Sequence, residues 1–341
     1  MNYRKYIMTL VLVSSMGLCV SAQDGTKGYN FLGITPSSHV YALGGHNLSV
    51  IDDDIMLVEQ NPALMGPEID HQVGINYMRY LGSSNFMGVR YGQGINDHSA
   101  WSVGLQYYGY GTFEGYDNTG IYTGDFSAND MAVNLTYSHD ISEYWRGGIT
   151  AKFIFSKYED YSAAALGVDL GVNYYNPNNE FSFSLVAKNL GGQVKKFTDQ
   201  GTSMPWDIQL GFTKQLSGAP FRISATLYNL NRWKLPYLAP QDKNSSTSPL
   251  VEKDSFGSNL MRHIVIGAEF LPNERMYVGI GYNYKTRTDM SSYQRNLLSG
   301  FSIGAGLKVK AFGVGIAMAQ PHSGASTFMF NLTTSLGELL R

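Results

Sequence analysis

The side chains able to do acid–base or nucleophilic chemistry are present, but their spacing does not organise them. His139, His263 and His322 and many serines could in principle form a hydrolytic site. No serine sits in the Gly-x-Ser-x-Gly elbow that exposes a nucleophile at a strand-to-helix turn. His98-x-x-Trp101 and the other histidines lack the His-x-x-x-His or His-Glu spacing that sets two ligands on one zinc ion. Isolated histidines at strand ends read as interfacial or hydrogen-bonded groups. The glycines recur at strand period, not as a phosphate-cradling Gly-x-x-x-x-Gly-Lys run. Asp52, Asp53 and Asp54 supply the oxygens a calcium ion prefers, yet lack the alternate-residue ligands and closing Glu of an EF-hand loop. The alternative is that they pair with lumenal Lys152, Arg222 or Lys308, or cap a short helix. No catalytic residue, cofactor site or metal site is therefore expected.

The elements that hold these residues begin with an export signal. Arg4 and Lys5 form a positive start, Ile7 to Val20 a short apolar stretch, and Val20-Ser21-Ala22 the small residues of a cleavage site before Gln23. The stretch is too short and too rich in Ser and Gly for a membrane-spanning helix. Cys19, the one cysteine, lies inside this segment. A lipoprotein site is rejected there because Leu18 stands where a small residue is needed. The mature chain would hold no cysteine, which excludes disulfides, thiolate metal sites and a cysteine nucleophile. Losing Arg4 and Lys5 takes the formal charge of −2 down by two, to −4. That mild acidity argues against a nucleic-acid partner, which needs a basic face, and the abundant aromatics have no basic groove in which to stack bases. Charged residues make 15% of the chain, while Tyr numbers 24 and Gly 38; soluble domains carry roughly 25% charge. No later stretch is continuously apolar enough for a helical span, so the composition fits a transmembrane barrel.

Alternation supports that class. From Phe301 to Val309, apolar Phe301, Ile303, Ala305, Leu307 and Val309 alternate with Ser302, Gly304, Gly306 and Lys308. Residues 276–284 and 164–174 repeat the pattern, which puts one set of side chains in lipid and the other in the lumen. Strands are expected at 70–80, 83–93, 98–109, 127–139, 144–157, 161–175, 179–190, 205–216, 219–230, 258–270, 274–287, 298–309, 311–319 and 326–336. Their connections alternate short and long, with short turns such as Asn96-Asp97, Ser217-Gly218 and Pro272-Asn273 on the side of both termini. A soluble sandwich or propeller would also alternate, but its outer face would be charged. The expected fold is all-β, a fourteen-stranded antiparallel transmembrane barrel. Residues 1–22 form the signal peptide, 23–69 a lumenal plug or hatch, and 70–341 the barrel. The setting is a Gram-negative outer membrane with long loops outside and both termini periplasmic.

Residues 23–69 lack the barrel alternation. They carry Leu43-Gly44-Gly45, where glycine permits positive φ and close approach to the wall. The acidic run follows, then Asn61-Pro62-Ala63, whose Asn-Pro favours a turn toward the first strand. These elements, with Lys188-Asn189-Leu190-Gly191 and the strand from Pro205 to Gly211, resemble the PorV/PorQ family of FadL-like barrels, in which a hatch occupies a fourteen-stranded barrel. Asn30-Phe31-Leu32, Pro36-Ser37-Ser38 and the run Tyr228-Asn229-Leu230-Asn231-Arg232-Trp233 resemble the PorQ branch.

That resemblance implies a non-enzymatic outer-membrane component of the type IX secretion system. It would anchor a soluble surface protein, PorZ-like, beside a PorU/PorV sortase module that links cargo to lipopolysaccharide. The surroundings would then be outer-membrane lipid and lipopolysaccharide. The loops at 110–126 and 231–257 are the expected contact surfaces, through Tyr110, Phe113, Tyr116 and Tyr122 in the first and Trp233 and Tyr237 in the second. These aromatics read equally as an extension of the interfacial girdle, and Asn244 to Ser248 as a flexible stretch. The alternatives are a FadL-like transporter of hydrophobic molecules and a PorV-like cargo shuttle. An apolar lumenal pocket would favour transport; the inward positions, mostly Gly, Ser, Lys, Asn and Asp, read as a plugged polar lumen.

Overall fold

The computed structural model describes residues 28–80, 82–197, 201–241, 249–289, 298–322 and 325–339. The expected signal peptide and the polar run 244–248 lie outside the described residues.

Fourteen antiparallel strands close into one barrel. In chain order they are β1 (Gln72–Arg79), β2 (Asn85–Asn96), β3 (Ser99–Tyr116), β4 (Tyr122–Ser142), β5 (Trp145–Tyr158), β6 (Tyr161–Asn176), β7 (Phe181–Lys195), β8 (Asp207–Gln215) and β9 (Phe221–Leu227). After a separate two-stranded sheet, β10 (Tyr237–Pro240) with β11 (Leu250–Lys253), follow β12 (Ile264–Asn273), β13 (Met276–Asn283), β14 (Phe301–Val309), β15 (Phe312–His322) and β16 (Ala325–Ser335). β1 pairs with β16 from Gln72↔Ser335 to Arg79↔Phe328, which leaves no free edge.

The alternation is inside-out relative to a soluble protein. Ile75, Val89, Leu135, Ile149, Leu170, Ile280, Ile303 and Phe330 stand exposed on the outer wall, while Asn76, Arg90, Asn134, Lys152, Asp169, Asn283, Ser302 and Asn331 are buried inside. An apolar outer wall over this many strands is stable in hydrocarbon and not in water.

Four departures from the expected elements stand out. Residues 110–126 are not a loop: β3 and β4 stay paired to Tyr116↔Tyr122, making a hairpin that stands above its neighbours. The segment 231–257 contains the β10–β11 sheet. The expected strand start at 258 is a helix, Phe256–Arg262, begun by Ser255, whose side chain accepts from the Ser258 N–H. The chain beyond Asn283 turns into a helix, Tyr284–Asp289, rather than extending β13 to 287.

Strand height is uneven. β4 has 21 residues and β9 has 7. β7 runs on to Lys195, whereas its neighbour β8 begins at Asp207 opposite Lys188, so the wall steps down there.

Candidate functional site

The segment from Gly28 to Asp70 fills the lumen as a chain of short turns. Ser37 caps the helix Ser38–Ala42 by accepting from the Val40 N–H, and Asp54 caps the 3-10 turn Ile55–Glu59 by accepting from the Met56 N–H at 2.9 Å. Asn61 caps the turn Pro62–Leu64, with Pro62 at the first helical position, where a missing N–H costs nothing. The Asn61 amide also donates to the Leu48 carbonyl and to Ser184 Oγ, each at 3.0 Å, which ties two plug turns to β7. Ala63 is buried behind it.

Leu43-Gly44-Gly45 lies against the wall strands β12 and β13. Leu43 is buried, and Gly44 and Gly45 have φ of 96° and 84°. The close approach is mutual: a Cβ on Gly281 of β13 would sit 2.1 Å from both the Gly44 nitrogen and the Leu43 carbonyl carbon.

Two buried charge clusters lock plug to wall. Glu59 meets Arg90 of β2 at 2.5 Å and Lys152 of β5 at 3.1 Å. Lys152 also pairs with Asp169 of β6 at 2.7 Å, and Lys188 donates to the Glu59 backbone carbonyl at 3.0 Å. In the second, His39 Nε2 lies 2.5 Å from Glu269 of β12, which Arg222 of β9 grips through two hydrogen bonds. The His39 ring stacks on Tyr277 at 3.8 Å. Burial alone would push the His39 imidazole down; Glu269 and Asp52 outweigh it and raise it to about 9.

The acidic run divides its work. Asp52 pairs with His39 at 3.2 Å, Asp53 with Lys308 at 3.1 Å, and Asp54 is the cap. Burial raises the Asp54 carboxyl to about 6, against the pull of the Met56 N–H and with a further push from Asp52. Of the three expected lumenal partners only Lys308 takes a member of the run; Lys152 and Arg222 serve Glu59 and Glu269. No group of three or more potential metal ligands occurs among the described residues.

Lys188-Asn189-Leu190-Gly191 is a β-bulge. The register shifts between Val168 and Leu170, and Asn189 has a φ of 56°. The bulge feeds the Glu59 cluster: the Asn189 N–H donates to Asp169 Oδ1 and Lys152 Nζ donates to Asn189 Oδ1. Glu59, His39, Arg90 and Asp169 were not singled out from the sequence. The available signal was a set of lone cations at inward positions, which require a countercharge.

The loop aromatics fall into two groups. Tyr110 points inward and is half-buried, donating to Asp130 at 2.7 Å and packing edge-on against Tyr108, so it is not a surface contact. Phe113, Tyr116 and Tyr122 are exposed on the tall hairpin, with Phe113 stacked on Phe126 and Tyr116 edge-on to Tyr122. Trp233 is exposed at 46% and leans on Phe256 and His263. Tyr237 lies beneath the Arg262 guanidinium, 5.0 Å from ring centre. Among the histidines, His139 meets Ser99 Oγ at 2.8 Å, and His263 is held between the Tyr228 and Trp233 carbonyls.

Among the described residues, cavities flank the plug at both ends. One of about 690 Å³ lies at the short-turn end beside Asp53 and Lys308. Cavities of about 150 and 400 Å³ lie toward the long-loop end and share Gly33 and His46. The first has no lining residue in common with the other two. Toward the long-loop end, wall residues Met78, Phe86, Tyr108, Ile154 and Met329 form an apolar layer, which the chain's own Tyr29, Phe31 and Leu32 occupy.

Solved structures with this architecture are FadL-family outer-membrane barrels. The toluene transporter TodX of Pseudomonas putida aligns over 90% of this chain and 97% of its own, with 12% identity and a TM-score of 0.52. A FadL homologue of Pseudomonas aeruginosa aligns over 89% and 98%, with 11% identity and a TM-score of 0.51. The ΔS2S3 mutant of TodX, a monoaromatic hydrocarbon channel, gives 12% identity and a TM-score of 0.54. The fold of this chain is the one these barrels share. No family model and no curated protein matches the sequence. The likeness is one of fold and carries nothing particular to the PorV/PorQ branch.

Proposed function

We propose that this chain is a non-enzymatic outer-membrane barrel whose working part is its long-loop end, held at the cell surface as a platform for a soluble partner. The observation that carries this reading is the locked plug: buried ion pairs join it to β2, β5 and β12, and its own aromatics fill the apolar layer. Exposed aromatics crown the long-loop end on the β3–β4 hairpin and beside the Phe256–Arg262 helix. Aromatic side chains on a rigid support are the usual anchors of protein interfaces. With the sequence resemblance, this favours an anchor of the type IX secretion attachment complex, with a PorZ-like protein and a PorU/PorV sortase module as its partners. The test is a mild-detergent pull-down of the tagged barrel from outer membranes, read by mass spectrometry. Recovery of a soluble surface protein with a sortase-like protease, lost when 231–257 is deleted, supports the platform. A partner that stays on the surface of cells lacking this barrel defeats it.

A second reading has its own support, and the solved structures lean toward it. Their fold is that of transporters of hydrophobic molecules, and the apolar layer around Phe31 is the kind of surface such a molecule would occupy if the N-terminal turn withdrew. A purified barrel that carries a stoichiometric lipid or aromatic compound, and no protein, would favour transport.

A further inference from the structure

We propose that the helix Phe256–Arg262, together with Trp233, is an interfacial anchor seated in the outer leaflet, and that the occupant of its exposed face is lipid acyl chain.

A helix on a water-soluble surface buries its apolar stripe and turns its polar side to solvent. This helix does the reverse. Asn259 and Arg262 are buried. Asn259 donates to Asp254 at 2.7 Å and accepts from the Leu235 N–H at 3.1 Å, and Arg262 pairs with Asp289. Phe256, Leu260 and Met261 point the other way, exposed at 71%, 39% and 40%. At 3.6 residues per turn these three fall within an arc of about 140°, and the two buried polar residues lie outside it. Trp233 widens the exposed face by packing on Phe256, with ring centres 5.2 Å apart.

Two observations select lipid as the occupant. The inversion is that of the barrel wall, where Ile223 and Ile266 stand outside while Ser224 and Thr226 are buried within. The face is also continuous with that wall. The helix leads directly into β12, and the Leu227↔Ile264 pair ends the β9–β12 ladder just below it. Beside it the Tyr228 N–H donates to the His263 carbonyl at 3.0 Å, and the Leu230 N–H to the Ile208 carbonyl at 3.1 Å. Exposed Leu230 therefore lies against the top of β8 and joins wall to patch. Trp favours the membrane–water boundary, and an amphipathic helix lying there buries its apolar face among head groups and acyl chains. The hairpin aromatics differ: Phe113, Tyr116 and Tyr122 share their strands with exposed Thr112, Glu114 and Asp125, above the neighbouring strands. The inference rests on the membrane seat of the barrel and not on the choice between platform and transporter. On the platform reading it leaves the partner the β3–β4 hairpin and the β10–β11 sheet.

The experiment places a fluorophore on single cysteines in the full-length barrel reconstituted in phosphatidylcholine vesicles. Cys19, the chain's one cysteine, lies in the segment expected to be cleaved, and the identically labelled parent gives the background. Phe256→Cys and Leu260→Cys are compared with Ile266→Cys on the outer wall and Tyr122→Cys on the hairpin. Quenching by lipid carrying a nitroxide on its acyl chain should fall within about twofold of Ile266→Cys, and quenching by aqueous iodide about fivefold below Tyr122→Cys. In native outer membranes, a benzophenone on Leu260→Cys should form adducts with lipid. Iodide quenching equal to that of Tyr122→Cys, or a defined protein adduct at Leu260→Cys, overturns the proposal.

Discussion

Glu59, carried on the plug, and Arg90, carried on β2, meet at 2.5 Å with both side chains buried. Lys152 closes on the same carboxylate, so one acid bridges cations from two separate strands, with Asp169 supplying the second negative charge. Such a pair is costly to break, because removing one member strands the others in a low-dielectric interior. Glu59→Leu is expected to destabilise the docked plug by about 3–5 kcal/mol. Planar-bilayer recordings should show conductance absent from the parent, with the barrel still resistant to SDS at room temperature. A silent variant would mean the plug is held elsewhere.

The His39 contact makes the opposite side of the plug pH-dependent. His39 faces Asp52, Glu269, Arg222 and Tyr277, and its folded value of about 9 lies above the ordinary 6.5. A raised value means that its contribution is complete below about pH 6.5 and fades as pH rises through about 9. Asp54, raised to about 6, acts in the same direction at lower pH, contributing less as pH climbs past that value. Hydrogen exchange across 38–54, corrected for intrinsic rates, should therefore quicken between pH 7 and 9.5. His39→Gln should flatten that rise; an unchanged profile would remove His39 from the account.

Gly281 tests the fit of the plug against the wall. A methyl group there meets plug backbone at 2.1 Å rather than a flexible side chain, so the plug must move. Gly281→Ala should cost about 1–3 kcal/mol of plug docking and raise protease cleavage within 38–64, leaving strand content by circular dichroism unchanged.

The tall hairpin should carry binding without carrying stability. Replacing Phe113, Tyr116 and Tyr122 together with Ser alters only exposed positions, so the unfolding midpoint should move little, by roughly 0.5 kcal/mol per site or less. On the platform reading, partner recovery in the pull-down should fall severalfold. Full recovery would shift attention to Trp233 and Phe256.

The barrel was legible because lipid enforces alternation on every strand, and all fourteen segments were placed. What escaped lies above the membrane, where that constraint ends. Thr112, Glu114 and Asp125 continue the β3–β4 ladder with polar side chains on an aqueous hairpin, so no apolar period marks it. The Phe256–Arg262 helix spans seven residues, too few for a helical period to emerge beside the strand pattern of β12, although Ser255 was a fair capping signal. The plug motifs were visible through Gly44-Gly45 and Asn61-Pro62, whose backbone demands are written in residue type. Glu59 was not, because its role depends on cations distant in sequence that only barrel closure brings together.

The difference between a β4 of 21 residues and a β9 of 7 gives the molecule a direction within the plane of the membrane. At about 3.4 Å per residue and a tilt near 40°, β9 spans the least of the roughly 25 Å apolar band of an outer-membrane wall, and β1, β8, β13 and β14, at eight or nine residues, also fall short of it. Lipid beside β8 and β9 must thin to meet it, or the barrel must lean toward that side. The bilayer there becomes a soft seam where neighbours with a similarly short girdle collect at least elastic cost. A nanodisc reconstruction would show the thinnest lipid beside β9 and the thickest beside the tall β3–β7 wall.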